Sequence, residues 1–256
     1  MKLKQKILLV LLILVIIISI FFYNNPYSMH DGMKLATPTF SNILGCDSLG
    51  RDVFSRLLLG GFYSILISFS AVLLSSVGGV LIGSVAGYYG KWPDFLINQL
   101  AEVLIAVPSI LIALGVVVIL GTGFFSLIIA IFLMYLPRSI NLVRGLVKKE
   151  KYMEYIIAVK TYGVSDIRVL FVHIFPNIKK DILINFNTSF AGAILTEAGL
   201  GYLGLGIQPP IPTLGNMLSQ SLSYFLSAPW ITIPPGLAII FIVYFMNKIG
   251  KRTKRY

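Results

Sequence analysis

Apolar runs alternate with short polar stretches along almost the whole chain, at about 7–23, 63–88, 95–120, 124–143, 182–205 and 230–249. Runs of about 17–25 residues at ~1.5 Å per residue are what it takes to cross ~30 Å of hydrocarbon as a helix. The pattern therefore predicts an all-α, polytopic membrane protein with six transmembrane helices. Lys2, Lys4 and Lys6 precede the first run, as they would in a signal peptide. No small-x-small cleavage site follows, however, and the run ends in Phe21-Phe22-Tyr23-Asn24-Asn25-Pro26, so it is read as an uncleaved first helix. Residues 1–40 then form an N-terminal helix with the start of a polar loop, and 41–256 the main membrane domain.

Polar and small residues inside the runs carry the next layer of information. Ser75, Gly79, Gly83 and Gly87 recur every four residues and share one helix face, where small side chains let another helix approach closely. Glu102 lies in the third run, with Pro108 beyond it; Asn185 and Glu197 lie in the fifth. Ionisable groups are expensive in a bilayer. Glu102, Glu197 and Asn185 either line a polar translocation path or hydrogen-bond a neighbouring helix or headgroup. Gly199, Gly201, Gly204 and Gly206 crowd the end of the fifth run and point to a break or a close contact there.

Between the fourth and fifth runs lies the longest charged segment, from about 144 to 181. Tyr152 to Tyr162 reads as a short helix broken at Gly163, and Asp166 onward as a second, ended by Pro176. Amphipathic helices of this kind lie on a membrane surface or fit a groove on another protein.

Composition narrows the function classes. Of 256 residues 57% are hydrophobic and 12% charged, against about 25% charged in soluble proteins. The formal charge of +11 is one-sided: of the 21 Lys and Arg, only Lys34, Arg51 and Arg56 fall on the face opposite the charged loop and the termini. By the positive-inside rule both termini and that loop are cytoplasmic, in a multi-pass protein of the cell membrane. This asymmetry accounts for the charge without nucleic acid and leaves membrane lipid headgroups as contacts for the basic residues. A lone Cys46 and two distant histidines, His30 and His173, give no metal site or disulfide. No catalytic constellation assembles, no cofactor is called for, and no Gly-x-x-x-x-Gly-Lys-Ser/Thr phosphate loop is present.

Three motifs carry a family resemblance. Leu44-Gly45-Cys46-Asp47-Ser48-Leu49-Gly50-Arg51-Asp52-Val53-Phe54-Ser55-Arg56 resembles LGTDxLGRDxxSR, with Cys46 in place of threonine. Gly163-Val164-Ser165-Asp166, followed by His173-Ile174-Phe175-Pro176-Asn177, resembles the end of the cytoplasmic EAA loop. Tyr202-Leu203-Gly204-Leu205-Gly206-Ile207-Gln208-Pro209-Pro210 with Thr213-Leu214-Gly215-Asn216-Met217 resembles SFLGLGVQPPTPSWGNM. The chain is thereby similar, over about 41–250, to permease subunits of ATP-binding-cassette (ABC) importers of the dipeptide, oligopeptide and nickel branch. The resemblance implies a transport subunit, not an enzyme, that works by alternating access. Its partners would be a second homologous permease, two cytoplasmic ABC ATPases that hydrolyse the ATP, and an extracytoplasmic solute-binding protein. It also implies that Ala158, Gly163, Ile174 and Pro176 belong to an ATPase-coupling element. Ile157 stands at the motif's glutamate position, with Glu154 one turn earlier. The different-class alternative is a secondary transporter or channel that needs no ATPase.

Overall fold

The computed structural model describes residues 25–253, with side chains to 250, so the first predicted helix at 7–23 lies outside the described residues. Among them the chain is helical, with one isolated bridge between Cys46 and Asp52 and no strand. The all-α reading holds.

The helices are α1 (Val53–Tyr89), α2 (Lys91–Ala106), α3 (Ser109–Leu120), α4 (Phe124–Lys151), α5 (Glu154–Thr161), α6 (Asp166–Arg168), α7 (Phe175–Tyr202), α8 (Leu214–Ser221) and α9 (Pro229–Thr253). Helix α1 starts ten residues before the apolar run because Asp52 caps it, its carboxylate accepting from the Ser55 N–H at 2.8 Å. Among the described residues three helices are long and apolar enough to cross a membrane: α1, α4 and the 229–250 part of α9.

The third run is not one continuous helix. It breaks at Val107–Pro108 into α2 and α3, which are bent by 93°. Proline disfavours helical backbone in the residue before it, and Val107 is extended at φ −78°, ψ 126°. The fifth run also differs. Helix α7 is 28 residues long but too polar to rank with the apolar spans, and it packs against α1, α4, α8 and α9. A helix shielded by other helices need not present an apolar surface to lipid all round.

α1 and α4 form the most extensive helix pair. A Cβ added at Gly83 would stand 2.7 Å from the Ile140 carbonyl oxygen, and one at Gly87 2.6 Å from that of Arg144. At Gly79 it would run into Ser139. Ser75 is buried on the same face, its hydroxyl turned back to the Val72 carbonyl. The main core lies between α1, α4 and α7, built on Ile67, Val72, Leu127, Ile131, Phe190 and Ile194.

The two ends of this bundle differ. One, the loop end, gathers α5, α6 and the turns around them. The other, the cap end, gathers residues 25–52, the 203–213 segment and α8.

Candidate functional sites at the two ends of the bundle

At the loop end, α5 is held from one side only. Ile156 is fully buried with Tyr88 of α1, Val143 and Val147 of α4, and Val169, Ile174 and Ile178. The next two residues, Ile157 and Ala158, face outward with Glu154 and Tyr162, and Ile157 is 53% exposed. Gly163 turns the chain at φ +76°, a conformation that favours glycine, and a Cβ there would meet nothing within 4 Å.

Tyr88, at the last turn of α1, organises the segment. Its hydroxyl donates to Asp166 Oδ1 at 2.6 Å, its carbonyl accepts from Lys151 Nζ at 2.6 Å, and Lys160 Nζ lies 4.8 Å from its ring centroid. The Tyr88 hydrogen bond, aided by Lys160, holds the Asp166 carboxyl below its ordinary pKa.

The helix begun at Asp166 was expected to end at Pro176. It instead passes through a π-helical stretch, Val169–Ile174, and continues into α7 with Pro176 in the first turn. Pro176, which has no N–H to give, falls at the junction where the π-helical stretch hands over to the α-helix. Ile174 is buried by this continuation, while Pro176 remains exposed. Asp94, near the start of α2, pairs with Arg144 of α4 and lies 3.7 Å from Lys148, which pins α2 to α4.

The cap end is built from sequence-remote motifs. Asp47 accepts from the backbone N–H groups of Leu49 (2.9 Å) and Arg51 (3.0 Å), and pairs with the side chains of Arg51 at 2.7 Å and Arg56 at 3.5 Å. Both guanidinium side chains are 3% exposed or less. Arg56 donates to the Pro26 and Pro210 carbonyls, and Arg51 to Gln220 at the end of α8. Thr213 and Asn216 close a capping box at the start of α8, and Asn216 also donates to the Ile207 and Ile211 carbonyls. The segments around 44–56 and 202–217 thus form one polar assembly. Single-sequence reading misses that because no local spacing relates Arg56 to Pro210.

The three path candidates do not meet. Glu102 is exposed on α2, hydrogen-bonded by Asn98 and close enough to feel Arg144. Asn185 is half-buried and donates to Ser139 on α4 at 3.4 Å. Glu197 is fully buried near the cap end. Of the glycines that close the fifth run, Gly201 and Gly206 pack together while Gly199 and Gly204 meet nothing. Among the described residues no three His, Cys, Asp or Glu side chains come together as a metal site.

Residues 79–254 match the family of the binding-protein-dependent transport system inner membrane component. A dipeptide transport system permease protein of Alkalihalophilus pseudofirmus is 39% identical over 217 residues, which is 85% of this chain and 71% of that one. A glutathione transport system permease protein of Pectobacterium atrosepticum is 38% identical over 213 residues, 83% of this chain and 71% of that one. In fold, the chain is similar to a subunit of the MetNI methionine ABC transporter in an inward-facing conformation. The TM-score is 0.62, with 14% identity over 79% of this chain and 96% of that one. On this combination of helical fold, matched profile and long, well-covered relatives, the chain belongs to the permease family of binding-protein-dependent transport system inner membrane components.

Proposed function

We propose that the chain is the membrane-spanning permease of an ATP-driven importer for short peptides, working by alternating access. The substrate class follows the dipeptide and glutathione permeases it resembles at 39% and 38% identity. Nickel chelates are the less supported cargo. A second permease completes the path, two ABC ATPases supply the energy, and a solute-binding protein delivers substrate at the cap end. Both termini and the loop end face the cytoplasm.

The observation that carries the coupling role is the two-sided construction of α5. One side anchors Ile156 among α1, α4 and α7; the other leaves Ile157, Ala158 and Tyr162 open. An amphipathic helix with an open apolar face fits a groove on a partner. Because its anchor is shared by three helices, a displacement of α5 biases their packing together, which is what coupling two ends of a molecule requires. Docking rests on shape and apolar contact, since Ile157 supplies no carboxylate. Glu154 sits at the start of α5 as a secondary contact, and Gly163, Ile174 and Pro176 set the angle of the element. Asn185 and Glu197 stay candidates for the path, and Glu102 for a surface that the partner permease covers.

The test is Gly163→Val in the assembled importer. Left-handed backbone costs a non-glycine residue roughly 1–2 kcal/mol, and more for a β-branched one. We expect normal membrane insertion, retained ATP hydrolysis and at least a several-fold loss of uptake per ATP hydrolysed. Normal uptake at matched membrane levels would refute a coupling role for this turn.

A further inference from the structure

A groove of about 190 Å³ lies between the last turns of α1 and the π-helical stretch. Leu81, Val85 and Tyr89 line it from α1, Leu170 and Phe171 from the π-helical stretch, and Ile178 from α7. Apart from Ser84 and the Tyr89 hydroxyl, no polar side-chain group lines it. A bound water needs about two to four polar partners, so a space of this size and character suits an apolar guest. Its depth is marked by aromatic residues. Tyr89 ends α1, and Trp92, in the first turn of α2, is 72% exposed. Tyr and Trp concentrate where hydrocarbon meets headgroups. Leu81 lies two turns earlier on α1, about 12 Å deeper at ~1.5 Å per residue. The groove therefore runs from headgroup level down beside the apolar part of a membrane-spanning helix.

The residues that flank the lining are basic. Lys91 follows Tyr89 by two residues, Arg168 precedes Leu170 by two and Lys179 follows Ile178, and all three are exposed. Among the described residues none of the three takes part in an ion pair. Of the nearby acids, Asp94, Glu150 and Asp166 are engaged by Arg144, Tyr155 and Tyr88, and Asp181 offsets one of the three positive charges. An apolar slot with free cations at its headgroup end is complementary to an anionic phospholipid, which brings an acyl chain to the one and a phosphate to the other.

We propose that this groove seats an acyl chain of an anionic phospholipid, with its headgroup at Lys91, Arg168 and Lys179, and that the seated lipid steadies the anchor of α5. The second half follows from shared side chains: Val147, Ile174 and Ile178 line the groove and also bury Ile156 of α5. Lipid and α5 thus lean on the same residues. The effect on coupling rests on the transport reading above, and the binding itself is measured without transport.

The test is a titration of the purified full chain with phosphatidylglycerol and with phosphatidylcholine of the same acyl chains, read by native mass spectrometry. Phosphatidylglycerol should bind at least about fivefold more tightly. The double substitution Arg168→Gln with Lys179→Gln, at exposed positions, should weaken phosphatidylglycerol roughly tenfold and leave phosphatidylcholine unchanged. Val85→Trp, which fills the groove, should weaken both lipids roughly tenfold. Equal affinity of the wild type for the two lipids would overturn the proposal, as would unchanged affinity in Val85→Trp at an unchanged melting temperature. Loss of the bound lipid once a partner permease is added would overturn it in favour of a groove filled by protein. In liposomes, replacing phosphatidylglycerol by phosphatidylcholine should lower uptake per ATP hydrolysed several-fold in the wild type and little in the double variant. A wild type indifferent to the replacement would overturn the link to α5. Absence of uptake in either lipid would count against the transport reading and leave the binding result standing.

Discussion

The cap end and the loop end use charged and polar groups in opposite ways. At the cap end Asp47, Arg51 and Arg56 are desolvated together, and glycines bring α7 and α8 into backbone contact. Breaking one buried charge pair there strands the other charge. At the loop end the ion pairs are partly open to solvent, the Lys160 and Asp166 side chains being 39% and 45% exposed, and one side of α5 is unoccupied. Exposed pairs of this kind contribute little, because solvent and salt screen them. The lesson is mechanical. One end is built to resist local change, and the other keeps a surface free while tying it firmly to three helices.

Substitutions that strand a charge should separate the ends most clearly. Asp47→Ala leaves Arg51 and Arg56 without a carboxylate, and a loss of about 3–5 kcal/mol is expected, read as a lowered melting temperature of the purified protein. The seam that joins the ends comes next. Gly83→Ala pushes a methyl group against the Ile140 carbonyl and should cost ~1–3 kcal/mol by the same measurement. Equal melting temperatures for wild type and Gly83→Ala would mean that α1 and α4 are not held at this distance.

Tyr88→Phe removes a hydrogen bond to a charged acceptor and should cost ~1.5–3 kcal/mol at neutral pH, toward the lower figure because Asp166 is nearly half exposed. The sign of its pH dependence follows from Asp166, whose pKa is lowered. Its stabilising contribution is present above the unfolded value of about 3.9 and is lost as pH falls through the lower folded value. The gap between wild type and Tyr88→Phe should therefore narrow only in acid below about pH 4. A gap that closed nearer neutrality would implicate some other group. The smallest effect on folding belongs to Ile157→Ala, within about 0.5 kcal/mol because the side chain is exposed. If α5 docks as proposed, the same change should weaken association with the ATPase by ~1–3 kcal/mol, measured by co-purification or titration. Loss of stability without loss of association would reverse the contrast between the two ends.

Much of this was legible in one sequence. Apolar run lengths gave the helical class, and the four-residue spacing from Ser75 to Gly87 marked the face that meets α4, because a helix repeats its faces locally. Local signals were weaker where neighbours decide. Pro108 is visible in the sequence, but the 93° angle between α2 and α3 is not. Pro176 looked like a stop because a proline in a regular helix interior breaks it, yet it falls where a π-helical stretch hands over to α7 and the helix continues. Gly60 and Gly215 carried no recognisable spacing, and their role exists only through contacts with Thr213 and Ala198.

Helix class, the small-residue seam, the charge asymmetry and the three motifs are properties of neighbouring residues, so the sequence by itself determined them. The tertiary structure alone decided that Arg56 reaches Pro210, that Tyr88 anchors the loop to Asp166, and that Glu197 is fully buried while Glu102 is exposed. Those pairings join positions far apart in the chain. Packing fixes them through close backbone approach and shared burial, which no local periodicity encodes.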